Sequence, residues 1–264
     1  MTKAAAVRQA ARDNRWVGST RGAAPGQVQC NVVILPGSEA PDFLAWCERN
    51  RAVTPILARS VAGDPALPTL GEDIDIRSDL PAYRVFEDGV DRGEVADIKA
   101  LWQDDWQAFA FGCSFSLEDA LRAEGIPLAY EERGFGGAIY VTDVQSEAYG
   151  GYGGPLVVSM RPIHRSFTRR AVEVSQAYPQ LHGAPVHVGT PETIGIDLSR
   201  PLEALGTLSL LPDEEPMFWA CGVTTQFAIQ NAKPRIAVTH VSSRMLVTDL
   251  AIAALARAPL GADA

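Results

Sequence analysis

Short runs that are apolar at nearly every position alternate along the chain with segments of helical period. Residues 28–35 (VQCNVVIL) form the longest such run, broken only by Gln29 and Asn31. Apolarity of that length without alternation predicts a strand covered on both faces, the pattern of a parallel sheet. Residues 109–111, 155–160, 217–220 and 236–240 repeat it in shorter form. Between them, helical spacing predicts helices over 7–16, 40–49, 165–177 and 225–232, and a last one over 249–256. Asp88-Gly89, flanked by strand-like 83–86 and 94–96, predicts a hairpin, and Asp97 a cap for a short helix reaching Trp102.

Two of the buried runs end alike. Residues 109–111 lead through Gly112 and Cys113 into Ser116-Leu117-Glu118-Asp119, an S-x-x-D helix start with both acids in its first turn. Residues 217–220 lead through Cys221-Gly222 into Thr224-Thr225. Each junction leaves backbone N–H groups free at a helix N-terminus, where anions bind. In open parallel sheets, ligands sit at that edge.

The middle of the chain has a different texture. Seven glycines from Gly134 to Gly154 read as a loop and a candidate lid, with a short strand over 138–142. The expectation is an α/β fold in two parts. Residues 1–124 and 213–264 form a mostly parallel sheet with flanking helices, and residues 125–212 an inserted, smaller α+β domain. Strand, helix and strand between 217 and 240 are expected as a right-handed parallel crossover within the main sheet.

Composition narrows the partners. The net charge is −9, with no basic run and no basic-aromatic stripe, which argues against nucleic acid. No apolar run approaches the ~20 residues that span a bilayer, and residues 1–14 lack the apolar core of a signal peptide. Four separated cysteines without a C-x-x-C pair suit a reducing compartment, so the expected setting is cytoplasmic, with no membrane contact and with room for a homo-oligomer. The four histidines make no metal-ligand spacing, and there is no Walker loop or G-x-G-x-x-G, so neither a metal nor an organic cofactor is expected.

The chemistry-bearing residues gather at the ends of the buried runs. Cys113 and Cys221 each sit where a helix starts, which lowers a thiol pKa and makes a thiolate base or nucleophile; a small apolar residue filling a tight turn is the alternative. His240 closes the 236–240 run at the same expected edge and is the preferred general acid–base. His182, beside a Gly-Ala-Pro turn, is either structural or catalytic. Arg161, at a strand end before Pro162, suits a carboxylate clamp or an internal ion pair. Asn31 and the hydroxyls of Ser114, Ser116, Thr224 and Thr225 complete a candidate substrate-binding set. The reading is a cofactor-free site for a small carboxylate.

Six collinear motifs then carry a resemblance: GAAPGQVQCNVVILP (22–36), FGCSFSLEDAL (111–121), GPLVVSMRPI (154–163), HGAPVHVGTP (182–191), FWACGVTTQ (218–226) and TH…VTD (239–249). Together they resemble the bacterial "putative hydro-lyase" family, whose domain also forms part of the mammalian mitochondrial D-glutamate cyclase. The resemblance implies a two-part α/β fold and a lyase. It also implies a substrate like D-glutamate or 5-oxo-D-proline, interconverted by loss or gain of water. The chain departs from the pattern at Asp143 and Ser146, where relatives tend to carry asparagine and cysteine. It departs again at Val241-Ser242-Ser243-Arg244, where a Pro-Gly-His is expected. Two other classes stand beside the hydro-lyase: a non-catalytic binding protein for a small carboxylate, and an amidohydrolase that opens a lactam.

Overall fold

The computed structural model describes residues 1–257, and it replaces the expected parallel sheet with two antiparallel ones. The first half of the chain supplies β1 (Gln27–Leu35), β2 (Ile56–Arg59), β3 (Tyr83–Glu87), β4 (Val90–Val95) and β5 (Gln107–Gly112). The middle supplies β6 (Ala138–Gln145), β7 (Pro155–His164), β8 (His187–Val188), β9 (Glu203–Ala204) and β10 (Glu214–Ala220), and the chain returns with β11 (Ala237–His240) and β12 (Leu246–Ala251). The first sheet runs β2-β5-β1-β11-β3-β4, with β12 also paired to β1. The second runs β8-β10-β7-β6-β9. Every strand pairing among the described residues is antiparallel.

The expectation of a mostly parallel sheet with flanking helices is therefore corrected, and β1 gives the reason. Val28, Cys30, Val32 and Ile34 enter one core cluster, Val33 and Leu35 another. An unbroken apolar run reports cover on both faces, and helical layers provide that cover whichever way the neighbouring strands run. The helices are α1 (Lys3–Arg12), α2 (Ala40–Arg49), α3 (Ser114–Ala123), α4 (Ala129–Arg133), α5 (Thr168–Gln176) and α6 (Thr224–Ala232). Phe43, Trp46 and Cys47 of α2 and Ala228 and Ile229 of α6 seal one face of β1. Leu117, Ala120 and Leu121 of α3 and Ala171 and Val174 of α5 join the core on the other, together with Met217 and Trp219 of β10.

The crossover expected between 217 and 240 is also absent. β10 pairs with β7 and β8 in the second sheet, β11 with β1 and β3 in the first, and α6 bridges the two sheets. The helix expected over 249–256 is β12 followed by a 3₁₀ turn over Ile252–Leu255. Leu246, Val247 and Thr248 are fully buried along β1, and the Thr248 hydroxyl donates to the Val28 carbonyl at 2.8 Å. Asp249 turns outward to the buried Arg8 of α1, 2.6 Å away. Residues 97–101 form a turn rather than a helix, with the Asp97 carboxylate accepting the Lys99 N–H at 3.0 Å. The hairpin forms as expected: Asp88 and Gly89 both have positive φ, 50° and 77°, as a tight two-residue connection requires. Among the described residues, no helix is long and apolar enough to cross a membrane.

Candidate active site

Where the two sheets meet, the chain encloses a narrow cavity of about 40 Å³. The first sheet contributes Asn31 from β1 and His240 from the end of β11. Cys113 and Ser114 reach it from the start of α3, Arg161 from β7, Cys221 from the end of β10, and His182 from the connection after α5. These side chains come from six places in the sequence, and most of the candidate set meets here. Cys221 and His240 arrive from different sheets rather than from neighbouring parallel strands.

Three candidates are used elsewhere. Ser116 lies inside α3, which starts at Ser114, so Glu118 and Asp119 fall in the second turn rather than the first. Its hydroxyl accepts the Gln29 N–H at 2.7 Å. The Thr224 hydroxyl accepts the Val157 N–H at 2.9 Å, and the Thr225 hydroxyl donates to the Gly222 carbonyl at 2.8 Å. All three are buried, and each secures a helix start against a neighbouring strand or turn.

Asn31 joins the two glycine turns. Its amide donates to the Gly112 carbonyl at 2.8 Å, and a Cβ on Gly222 would overlap the same amide. A Cβ on Gly112 would overlap the Gln180 carbonyl, just before His182. Both turns therefore need glycine for close approach rather than for a positive φ. On the far side of β1 the ladder passes from β12, at Cys30, to β11, at Val33. In that gap His240 Nδ1 lies 3.1 Å from the Val32 nitrogen and 3.2 Å from the Val32 oxygen.

Arg161 is the charged centre. Its Nε donates to Glu118 Oε1 at 2.6 Å and its Nη2 to the Ser114 hydroxyl at 3.1 Å. Arg21 Nη2 donates to the same Glu118 oxygen at 2.7 Å, and its guanidinium lies over the Phe115 ring. Of the two readings of Arg161, the structure shows the internal ion pair, and beside it Nη1 is buried with no hydrogen-bond partner among the described residues. Ser114 and Glu118 are one helical turn apart on α3, so both face Arg161.

Burial sets the remaining charges, and at the two thiols it works against the helix N-termini. Cys113 caps α3, its sulfur accepting the Phe115 N–H at 3.4 Å, yet desolvation pushes its thiol up to about 12. Cys221 is raised for the same reason, with Arg161 opposing the shift only in part. A helix N-terminus stabilises a thiolate, but removal from water costs more here. Both imidazoles move the other way: His182 and His240 are pulled down to about 4 by burial. Near neutral pH the cavity therefore holds protonated thiols and neutral imidazoles around the arginines. His182 Nδ1 lies 3.3 Å from the Ala52 carbonyl, which makes it the protonated nitrogen, and its Nε2 is buried without a partner among the described residues.

Sequence reasoning missed Glu118 as a site residue, together with Arg21, Gly136, Gly137, Ser242 and Ser243 of the lining. One signal was available: Glu118 follows Ser114 by four residues and shares the inner face of α3 with Leu117 and Leu121. Among the described residues, no three His, Cys, Asp or Glu side chains are grouped to hold a metal ion.

Comparison with known proteins shows the family to which the chain belongs. Residues 107–249 match the model of the D-glutamate cyclase family. A protein of Verminephrobacter eiseniae named "Putative hydro-lyase" is 51% identical over 92% of this chain and 89% of its own length. Another of the same description, from Afipia carboxidovorans, is 46% identical over 95% of this chain and 92% of its own. A crystal structure of a nitrogen repressor-like protein from Methanococcus jannaschii is similar at a TM-score of 0.42, with 12% identity over 94% of this chain and 95% of that one. A likeness at that level carries no inference.

Proposed function

Because this chain belongs to the D-glutamate cyclase family, we propose that its cavity is the active site of a hydro-lyase acting on a small carboxylate amino acid, with D-glutamate and 5-oxo-D-proline as the interconverted pair. The observation that carries this reading is Arg161. Glu118 and Ser114 hold its guanidinium, while Nη1 stays buried and unpaired among the described residues. A guanidinium fixed before the ligand arrives binds a carboxylate with little further ordering. The N-terminus of α3, at the same wall, favours the same charge.

Ring closure joins the substrate nitrogen to the side-chain carboxyl carbon and breaks one carbon–oxygen bond. The oxygen leaves as water, so two protons pass from nitrogen to oxygen. In this reading the neutral imidazoles accept and the protonated thiols donate. His182 offers its Nε2 lone pair, because Nδ1–H is held by Ala52. His240 offers Nε2 when Nδ1–H donates to the Val32 carbonyl. Cys113 and Cys221, kept protonated by burial, each give one proton to the departing oxygen, and the two imidazoliums pass theirs back to the thiolates once water has left. The scheme runs through the chain's own side chains and calls on no cofactor.

Proton NMR of the purified protein with D-glutamate, and separately with 5-oxo-D-proline, tests the proposal. Each compound should give rise to the other, and Arg161→Met should abolish the conversion. Binding of 5-oxo-D-proline without turnover would replace the enzyme by a non-catalytic carboxylate-binding protein. Ser242 and Ser243 favour that second reading, because they line the cavity where the resemblance leads one to expect a Pro-Gly-His.

A further inference from the structure

Beside the cavity, and sharing Arg21, Gly136 and Arg161 with it, lies a chamber of only about 10 Å³. Glu118, Ala129 and Phe135 form part of its wall. A single water needs roughly that much room, with two or more polar partners. Glu118 is 2% exposed, and both of its contacts with arginine fall on Oε1. Its Oε2 has no hydrogen-bond partner among the described residues, and neither has Arg161 Nη1. A buried carboxylate oxygen left bare is rare in native proteins, and ordered water is its usual partner where the chain supplies none.

We propose that this chamber takes one water molecule, bridging Glu118 Oε2 and Arg161, and that this water and Glu118 together position the guanidinium that meets the ligand. Arg161 Nη1 carries two N–H groups, so one can hold the water while the other meets a carboxylate. Glu118 is then a positioning residue. It touches no substrate, yet it sets the angle of Arg161 from two sides, directly through Oε1 and through the water at Oε2. Its negative charge beside an anion site is the cost of that rigidity. The water site stands on the chamber alone; its use in ligand binding rests on the function proposed above.

A crystal structure at about 1.5 Å should show one density peak within hydrogen-bond distance of Glu118 Oε2. A chamber without density would overturn the proposal. Ala129→Val fills the chamber and leaves Glu118 and both arginines in place. It should remove the peak and speed solvent exchange of the Arg161 Nε–H, followed by NMR without any ligand, by tenfold or more. Unchanged exchange would mean that the water positions nothing. Calorimetry with 5-oxo-D-proline adds a sign test. Glu118→Ala should weaken binding at least tenfold and Glu118→Gln, which keeps an acceptor oxygen, should restore most of it. Simple electrostatics predicts the reverse, since removing an anion beside an anion site tightens binding, and that result would refute the positioning role. Wild-type protein with the peak and slow exchange but no affinity for 5-oxo-D-proline would sink the proposed substrate and leave the water site standing.

Discussion

His240 presents one ring nitrogen, Nδ1, to both backbone polar groups of Val32, 3.1 Å from its nitrogen and 3.2 Å from its oxygen. The contact falls where β1 changes partner from β12 to β11, so the imidazole occupies a gap in the ladder. Either tautomer finds a partner there: Nδ1 accepts from the N–H, or Nδ1–H donates to the carbonyl. The other nitrogen can then present a lone pair or a proton without ring movement.

His240→Gln should therefore separate binding from chemistry. Glutamine can still meet Val32, but it cannot exchange a proton. Turnover should fall by about 10²–10⁴-fold, with the affinity for 5-oxo-D-proline changed less than about threefold. Single-turnover rates and calorimetry on the same variant make the comparison. Equal loss in both would make His240 a wall residue only.

The two buried histidines also predict an acid limb of stability. Each has a folded pKa pulled from 6.5 to about 4, so each stays neutral in the fold while the unfolded chain protonates below about 6.5. The unfolded state then binds more protons, and stability must fall as pH drops from about 6.5 to 4. Above 6.5 these groups add no slope. The shift is worth roughly 3 kcal/mol for each histidine. Urea melts between pH 7 and 4 should show the loss, and His182→Gln or His240→Gln should each flatten it. A wild-type curve flat across that window would contradict the burial of both rings.

Much of the site was legible in the sequence because it lies where buried runs stop. Asn31, Cys113, Ser114, Arg161, Cys221 and His240 each interrupt or end an apolar stretch, and polar groups in such places must be hydrogen-bonded or used. Strand direction was not legible. β1 is covered on both faces by α2, α3 and α6, and that cover produces the same apolar string in an antiparallel sheet. The partner sheet of 217–220 was equally hidden, since α6 has the length of a parallel crossover and in fact spans two sheets. The balance of forces on the thiols was not legible either, for a quantitative reason. Helix N-termini were readable, but the depth of burial that outweighs them depends on β7 and β10 closing over the cavity.

Gly222→Ala tests the contact that joins the two turns. The added methyl would overlap the Asn31 amide, whose other contact fixes the Gly112 carbonyl. Overpacking of this kind typically costs about 1–3 kcal/mol. Thermal melts should show that loss, and the double variant Gly222→Ala/Asn31→Ala should recover part of it, because the two positions share one contact. Strictly additive losses would mean that the amide moves aside freely.

Removing the guanidinium should cost stability as well as affinity. Glu118 is buried between two arginines, and Arg161→Met strips one partner from a carboxylate that already has a bare oxygen. Breaking a buried pair from one side costs about 3–5 kcal/mol, more than the pair contributes against an apolar replacement. Arg161→Met/Glu118→Gln should therefore be more stable than Arg161→Met alone, by denaturant midpoint. Both variants should fail to bind 5-oxo-D-proline. A single variant as stable as wild type would mean that Arg21 alone satisfies the carboxylate.

The thiols give the most direct check on which groups hold protons. Had the helix N-termini prevailed, Cys113 and Cys221 would be thiolates near neutrality and fast nucleophiles. Burial instead raises both, Cys113 to about 12, and it raises the core cysteines Cys30 and Cys47 as well. At pH 8 an ordinary thiol of pKa about 8.5 is roughly one quarter ionised, whereas a thiol at 12 is ionised about once in 10⁴. Alkylation of native Cys113 by iodoacetamide, followed by mass spectrometry, should thus be on the order of 10³-fold slower than in the urea-unfolded chain. Saturating 5-oxo-D-proline should slow it further by filling the cavity. Cys113→Ser and Cys221→Ser should keep measurable turnover, because a hydroxyl can still donate a proton. Rapid labelling of Cys113 in the folded protein, with both serine variants inactive, would restore the thiolate as the base and reverse the proposed direction of proton flow.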